Sequence, residues 1–215
     1  VFGYTSAAIF TYILGTSLIR SFSLSSRSVD VAGEIHQGLL TNFLLKPVSY
    51  LSWWFTRDLT DKLVNIVFVT VELSLIYLIL KPPIFIQTDP LTLVVTAITI
   101  ILAVFLFFYL SFLLSLSGFW VREVWAPRFL AMVFIEFLSG GFFPLDILPQ
   151  PIFAILQATP FPYLIFFPLK VYLGQASGLQ IASGVGVMVF WIILSYLGIK
   201  YVWSRGLRVY AAEGR

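Results

Sequence analysis

LTLVVTAITIILAVFLFFYLSFLLSL, running from Leu91 to Leu116, holds 26 residues in succession without an Asp, Glu, Lys or Arg. About 20 residues rising 1.5 Å each cross the roughly 30 Å hydrocarbon layer, so this stretch predicts a membrane helix that tilts or projects. Around it, 60% of the 215 residues are apolar and 11% charged, against roughly 45 to 50% and 25% in a soluble domain. Three further runs carry no charge or a single acid: Val1 to Ile19, Leu63 to Leu80 with Glu72, and Phe129 to Phe143 with Glu136. A fifth begins near Leu179 within the uncharged stretch Val171 to Ile199.

These segments predict an all-α polytopic membrane protein, a single transmembrane domain over residues 1–215. Its spans lie at about 1–19, 63–80, 91–116, 129–143 and 179–203. Pro144, Pro149, Pro151, Pro160, Pro162 and Pro168 interrupt the apolar run before the last span. Proline removes a backbone donor and clashes with the preceding turn, and unsatisfied backbone cannot face lipid. Residues 144–178 are therefore expected to form a re-entrant hairpin of two short helices, about Gln150 to Ala158 and Tyr163 to Leu173. Gly140 and Gly141 mark the point where the fourth span unwinds into it.

Eleven of the thirteen basic residues fall in the 20–62 loop, the turn holding Arg122 and Arg128, or the tail; Lys81 and Lys170 fall on the other side. The positive-inside rule then places loop, turn and C-terminus in the cytoplasm, with Val1 outside. A chain entering from outside in an apolar run implies a sixth, N-terminal span before Val1.

In the loop, Val31, Ile35, Leu39 and Phe43 recur every four residues, joined by Ala32, Leu40 and Leu44, while Asp30, Glu34, Gln37 and Thr41 lie opposite. This spacing predicts one amphipathic helix from Val29 to Leu45, ended by Lys46 and Pro47. Its polar face is acidic and neutral, unlike the Lys- and Arg-rich face of a membrane anchor, which favours a protein partner. Gly33 and Gly38 each cost the helix up to about 1 kcal/mol relative to alanine, and are either tolerated or admit another backbone. A further helix from near Val48 is expected to hold Trp53 and Trp54 at the lipid interface, with Asp58–Lys62 and Arg57–Asp61 pairs at i,i+4.

Several chemistries are excluded. The chain has no cysteine and one histidine, His36, so thiolate and multi-histidine metal sites and Ser-His-Asp catalysis have no basis. His36 reads as a surface or packing residue. Gly33 and Gly38 match the glycine spacing of a P-loop, but Leu39 and Leu40 replace the lysine and hydroxyl that bind phosphate and Mg²⁺. No nucleotide site, metal site or other cofactor is expected within the chain, and a net charge of +3 gives no ground for a nucleic-acid partner. Glu72 and Glu136 must face protein or water, because a charge at mid-helix costs about 2.5 to 3.5 kcal/mol on insertion scales. Each serves either as polar glue between helices or as a proton relay, the latter pointing to a proton-coupled secondary transporter. Ala182 and Gly186 form a small-xxx-small pair in the last span.

Gly33-Glu34, Gly38, Leu44-Leu45 and Lys46-Pro47-Val48 resemble the coupling segment of ABC type 2 permeases, the membrane subunits of ATP-binding-cassette exporters. The run Ser139-Gly140-Gly141-Phe142-Phe143-Pro144-Leu145-Asp146-Ile147-Leu148-Pro149 is similar to the family's glycine and proline run at the outer end of its fifth span. Pro160-Phe161, Phe167-Pro168-Leu169 and Leu173-Gly174 follow in order. The tail from Trp203 to Tyr210 resembles a small six-span branch of unassigned substrate. The resemblance implies that the 20–62 loop is a coupling loop whose helix, through Gly33, Glu34, Ile35, His36, Gly38, Leu39 and Leu40, docks on an ATPase. It implies two separate ATPase subunits that hold ATP and Mg, a second permease subunit, identical or sister, and alternating access beneath the hairpin.

Overall fold

A computed structural model describes residues 5–121 and 124–210, the side chain of Val29 excepted. Val1, Arg122 and Arg215 lie outside the described residues. All the regular elements among them are helical: α1 (Ser6–Ser23), α2 (Val29–His36), α3 (Thr41–Leu44), α4 (Tyr50–Leu80), α5 (Pro90–Ser115), α6 (Trp125–Leu138), α7 (Gln150–Gln157), α8 (Phe166–Tyr172) and α9 (Gly178–Val209), with short 3₁₀ turns at Leu116–Phe119, Leu145–Ile147 and Phe161–Tyr163.

Among the described residues, three helices are long and apolar enough to cross a membrane: Tyr50–Leu80, Pro90–Phe119 and Gly178–Val209. α1 and α6, at 18 and 14 residues, are shorter. Local signals set the ends of the long ones. The Asp89 carboxylate accepts from Thr92 N at 2.9 Å and Pro90 occupies the first turn, so α5 starts there. α4 stops where Lys81 adopts φ 42°, ahead of Pro82 and Pro83. Ser177 and Gln180 cap α9 reciprocally.

α5 is the axis of the bundle, packing on α1, α2, α8 and α9. One apolar core joins its first two-thirds to α1, α8 and α9 through Leu106, Phe107, Leu164, Ile165 and Met188. A second, at the other end, joins Phe108, Phe112 and Leu116 to Val31, Ile35, Leu40, Trp54 and Ile199. α7 and α8 form a hairpin beside the first core: Trp191 Nε1 on α9 donates to the Ala158 carbonyl at the foot of α7, 3.0 Å away. We call the two extremes the loop end and the hairpin end.

Four expectations are corrected. The single helix from Val29 to Leu45 is two, because Gly38 takes φ 73° and turns the chain between α2 and α3. α4 begins at Tyr50, not Val48, since Ser49 accepts from Ser52 N and supplies the cap. Trp53 is exposed, but Trp54 is wholly buried in the second core, so it is not an interfacial anchor. The Arg57–Asp61 pair does not form: Asp61 pairs with Arg27 at 2.8 Å, and the Arg57 guanidinium lies 4.9 Å from the Trp54 ring centre.

Candidate functional site

α2 packs its apolar face inward. Val31, Ala32, Ile35 and Leu40 are at most 4% exposed, so Ile35 and Leu40 contact the chain's own core and not an outside partner. The close backbone approach occurs at Gly118, where an added Cβ would lie 2.9 Å from Ala32 Cα. A Cβ on Gly33, by contrast, would meet nothing within 4 Å. His36 Nε2 lies 2.7 Å from the Val121 carbonyl, so that nitrogen carries its hydrogen and donates. Tyr50 Oη donates to Glu34 Oε2 at 2.7 Å, pinning the acidic face of α2 to the start of α4. What remains open is the turn beyond α2: Gln37, Leu39, Asn42, Leu44 and Leu45 are exposed, with Leu45 at 82%.

Behind this surface, the α1–α2 connection is clamped on two sides by buried polar groups. Toward α4, Lys62 and Asp58 pair at 3.3 Å with 2% and 1% of their side chains exposed. Lys62 also donates to the Ser25 carbonyl, Asn65 Nδ2 donates to Ser25 Oγ at 2.8 Å, and Arg27 N donates to Asp58 at 3.3 Å. Toward α5 and α6, Ser28 Oγ donates to Ser111 Oγ at 2.7 Å. Arg128 Nη2 donates to Ser111 Oγ at 2.8 Å, and Arg128 Nη1 donates to Ser115 Oγ. The connection is thus tied to the feet of α4, α5 and α6 at once. Any displacement of α2 must move those helices or break these bonds.

The upper end of α6 is the second polar junction. The helix stops at Leu138, and Gly140 turns with φ 82°. The freed carbonyls find partners on α1 and α8: Tyr12 Oη donates to Gly140 O at 2.6 Å, Arg20 donates to Gly141 O at 3.3 Å, and Phe166 N donates to Ser139 O at 3.0 Å. Arg20 also pairs with Glu136, which is 19% exposed. Glu136 therefore sits against a cation and a backbone turn, the arrangement of structural glue between α1 and α6. Glu72 is exposed on α4.

In the hairpin, Lys170 on α8 pairs with Asp146 at 3.2 Å, and its ammonium lies 5.3 Å from the Phe166 ring centre. Pro144 and Pro149 flank the Leu145–Ile147 turn, Pro160 precedes the Phe161–Tyr163 turn, and Pro168 lies within the first turn of α8. Among the described residues no group of three or more His, Cys, Asp or Glu could hold a metal ion.

Residues 1–214 match the model of the ABC-2 family transporter protein. The chain belongs to the ABC-2 transporter family. It is an integral membrane protein and a permease component of such a transporter, and ABC-2 permeases generally work with ATPase subunits rather than carry out catalysis themselves. No curated protein and no solved structure matches the chain significantly.

Sequence reasoning found the Asp58–Lys62 pair of the ABC-2 chain's clamp but missed its Ser28, Ser111, Ser115 and Arg128 side. Ser111 and Ser115, spaced i,i+4 on an otherwise apolar helix, were the available signal, and Arg128 entering the foot of α6 was their complement. The partner Ser28 had none, because 83 residues separate it from Ser111. Gly118 was likewise silent, since its role depends on which backbone arrives beside it.

Proposed function

We propose that this chain is the membrane-spanning subunit of a bacterial inner-membrane ABC exporter and moves its substrate by alternating access. Two copies, or one copy and a sister permease, sit on two separate ATPase subunits, which bind ATP and Mg. The observation that carries the reading is an open, partly apolar turn, Gln37 to Leu45, at one end of α2 and a buried polar clamp at the other. Exposed apolar groups rimmed by polar ones mark interaction sites. A site wired to three helix feet is suited to pass mechanical work inward. Gly33, Glu34, His36, Gly38 and Leu39 shape or border the docking surface, and Ile35 and Leu40 anchor it from within.

The connection from α1 to α4, the Arg122 turn and the C-terminus face the cytoplasm in this reading. α1, α4, α5, α6 and α9 provide five crossings, α6 continued by the unwound segment and the hairpin. Glu72 on the exposed face of α4 supports a protein neighbour there, since a carboxylate facing lipid is costly. The Arg20–Glu136 pair supports a structural role for Glu136 over the titrating relay of a proton-coupled carrier.

The test is Leu39→Asp with Leu45→Asp in the reconstituted permease–ATPase assembly. ATP hydrolysis should separate from transport, membrane insertion should stay unchanged, and wild-type transport should not follow a proton gradient. Coupled transport at the wild-type ratio would remove this turn from the mechanism. Transport that follows the proton gradient and is lost in Glu136→Gln would replace the reading with proton coupling.

A further inference from the structure

At the loop end a second surface feature adjoins the docking turn and shares Phe43 and Leu44 with it. The α3–α4 connection folds beside the last turns of α9 and encloses a groove of about 350 Å³. Lys46 contributes from the connection and Lys200 from α9, with Tyr50, Tyr196 and Trp203 in the walls and Phe112 at the floor. The two ammonium groups are held by rings, not acids: Lys46 Nζ lies 5.1 Å from the Phe43 ring centre and Lys200 Nζ 4.6 Å from that of Tyr196. Among the described residues neither lysine is paired with a carboxylate. Both stay exposed, so two positive charges converge on one cavity with donors to spare.

We propose that this groove binds the anionic headgroup of a phospholipid. Charge complementarity selects the headgroup, because lysine ammonium groups in a basic pocket between membrane helices attract phosphate. The wall selects a lipid over a soluble anion. Ile193, one i,i+7 step from Lys200 on the same side of α9, is 54% exposed, and Phe190 and Leu197 beside it are 59% and 55% exposed. An acyl chain can leave the groove along this strip while its phosphate stays at the lysines. Tyr196 and Trp203 in the walls are of the ring types enriched where headgroups lie. The proposal stands apart from the transport reading, since it concerns the permease chain alone.

The experiment measures lipid retained by the purified full chain, by native mass spectrometry and thermal unfolding. Phosphatidylglycerol and phosphatidylcholine with identical acyl chains are compared, with inorganic phosphate as a third arm. Phosphatidylglycerol should be retained and raise the unfolding temperature, and the other two should do neither. Lys46→Gln and Lys200→Gln should each lower phosphatidylglycerol retention about fivefold, Lys46→Arg should preserve it, and Lys81→Gln should leave it unchanged. Because both lysines are exposed, the glutamine variants should unfold at the wild-type temperature in phosphatidylcholine; if Lys46→Gln does not, Lys200→Gln is read in its place. Wild-type retention in the glutamine variants overturns the proposal. Equal retention of phosphatidylcholine overturns it in favour of an acyl slot, and equal stabilisation by inorganic phosphate in favour of a free-anion site. Loss of ATPase binding in the glutamine variants with lipid retention intact would assign the lysines to a protein interface and likewise overturn it.

Discussion

At the loop end, Asp58, Lys62, Asn65, Ser111, Ser115 and Arg128 hold the α1–α2 connection through buried polar contacts. At the hairpin end, α8 is held against α1, α5 and α9 chiefly by apolar packing, with Leu164, Ile165 and Leu169 at most 2% exposed. Buried polar contacts are directional and lose much when one partner goes, whereas apolar packing yields in proportion to the volume removed. The first suits a joint that passes a displacement on without slipping; the second suits a plug that holds its place by fit.

Removing one member of a buried ion pair tests the contrast most severely. Lys62→Met leaves Asp58 charged and 1% exposed, and unfolding in detergent should become easier by about 3 to 5 kcal/mol. Adding Asp58→Asn should restore a large part of the loss. A double variant no better than the single would mean that packing, not charge, sets the stability of this end.

Leu164→Ala at the hairpin end should cost about 3 kcal/mol, from a side chain with no exposed surface. No second substitution to a polar residue should rescue it, and a cavity-filling change at a neighbour should. Rescue by a polar residue would erase the distinction between the ends.

Gly140→Ala probes the border between the two regimes. The position has φ 82°, and a Cβ there would lie 2.7 Å from Tyr12 Oη, so a loss of about 2 kcal/mol is expected. Adding Tyr12→Phe should relieve the crowding but not the backbone strain, which a stability measurement on both variants separates. Full recovery in the double variant would show that the left-handed turn carries no strain.

The smallest effect concerns pH at the hairpin end. The Thr92 hydroxyl, and after it the Thr92 N–H, hold the Asp89 carboxyl below the usual carboxylate range. A depressed folded-state value adds stability above the unfolded value, which is lost as pH falls through the folded one. Wild type should therefore lose slightly more stability than Asp89→Asn between neutral pH and the acid side of that range. Identical pH profiles would show that the cap contributes nothing through its charge.

The helical membrane character, the long helix at 90–115 and the broken region rich in proline were legible because each depends on neighbours along the chain. Length without charge, a capping aspartate and a missing N–H act within one or two helical turns. The face of α2 was half legible. Its apolar spacing placed Val31 and Ile35 on one side, but spacing alone does not say whether that side meets lipid, a partner or the chain's own core.

Sequence by itself determined that residues 63–80, 91–116 and 179–203 lie in apolar helices, since backbone deprived of water must bond internally and 3.6-residue geometry does so. Tertiary structure alone decided that Gly118 and not Gly33 admits a neighbour, that Asp61 takes Arg27 instead of Arg57, and that Arg128 joins Ser28 through Ser111. Each of those outcomes depends on which surfaces meet after the helices dock, and a contact between residues 83 positions apart leaves no periodic trace in the chain that makes it.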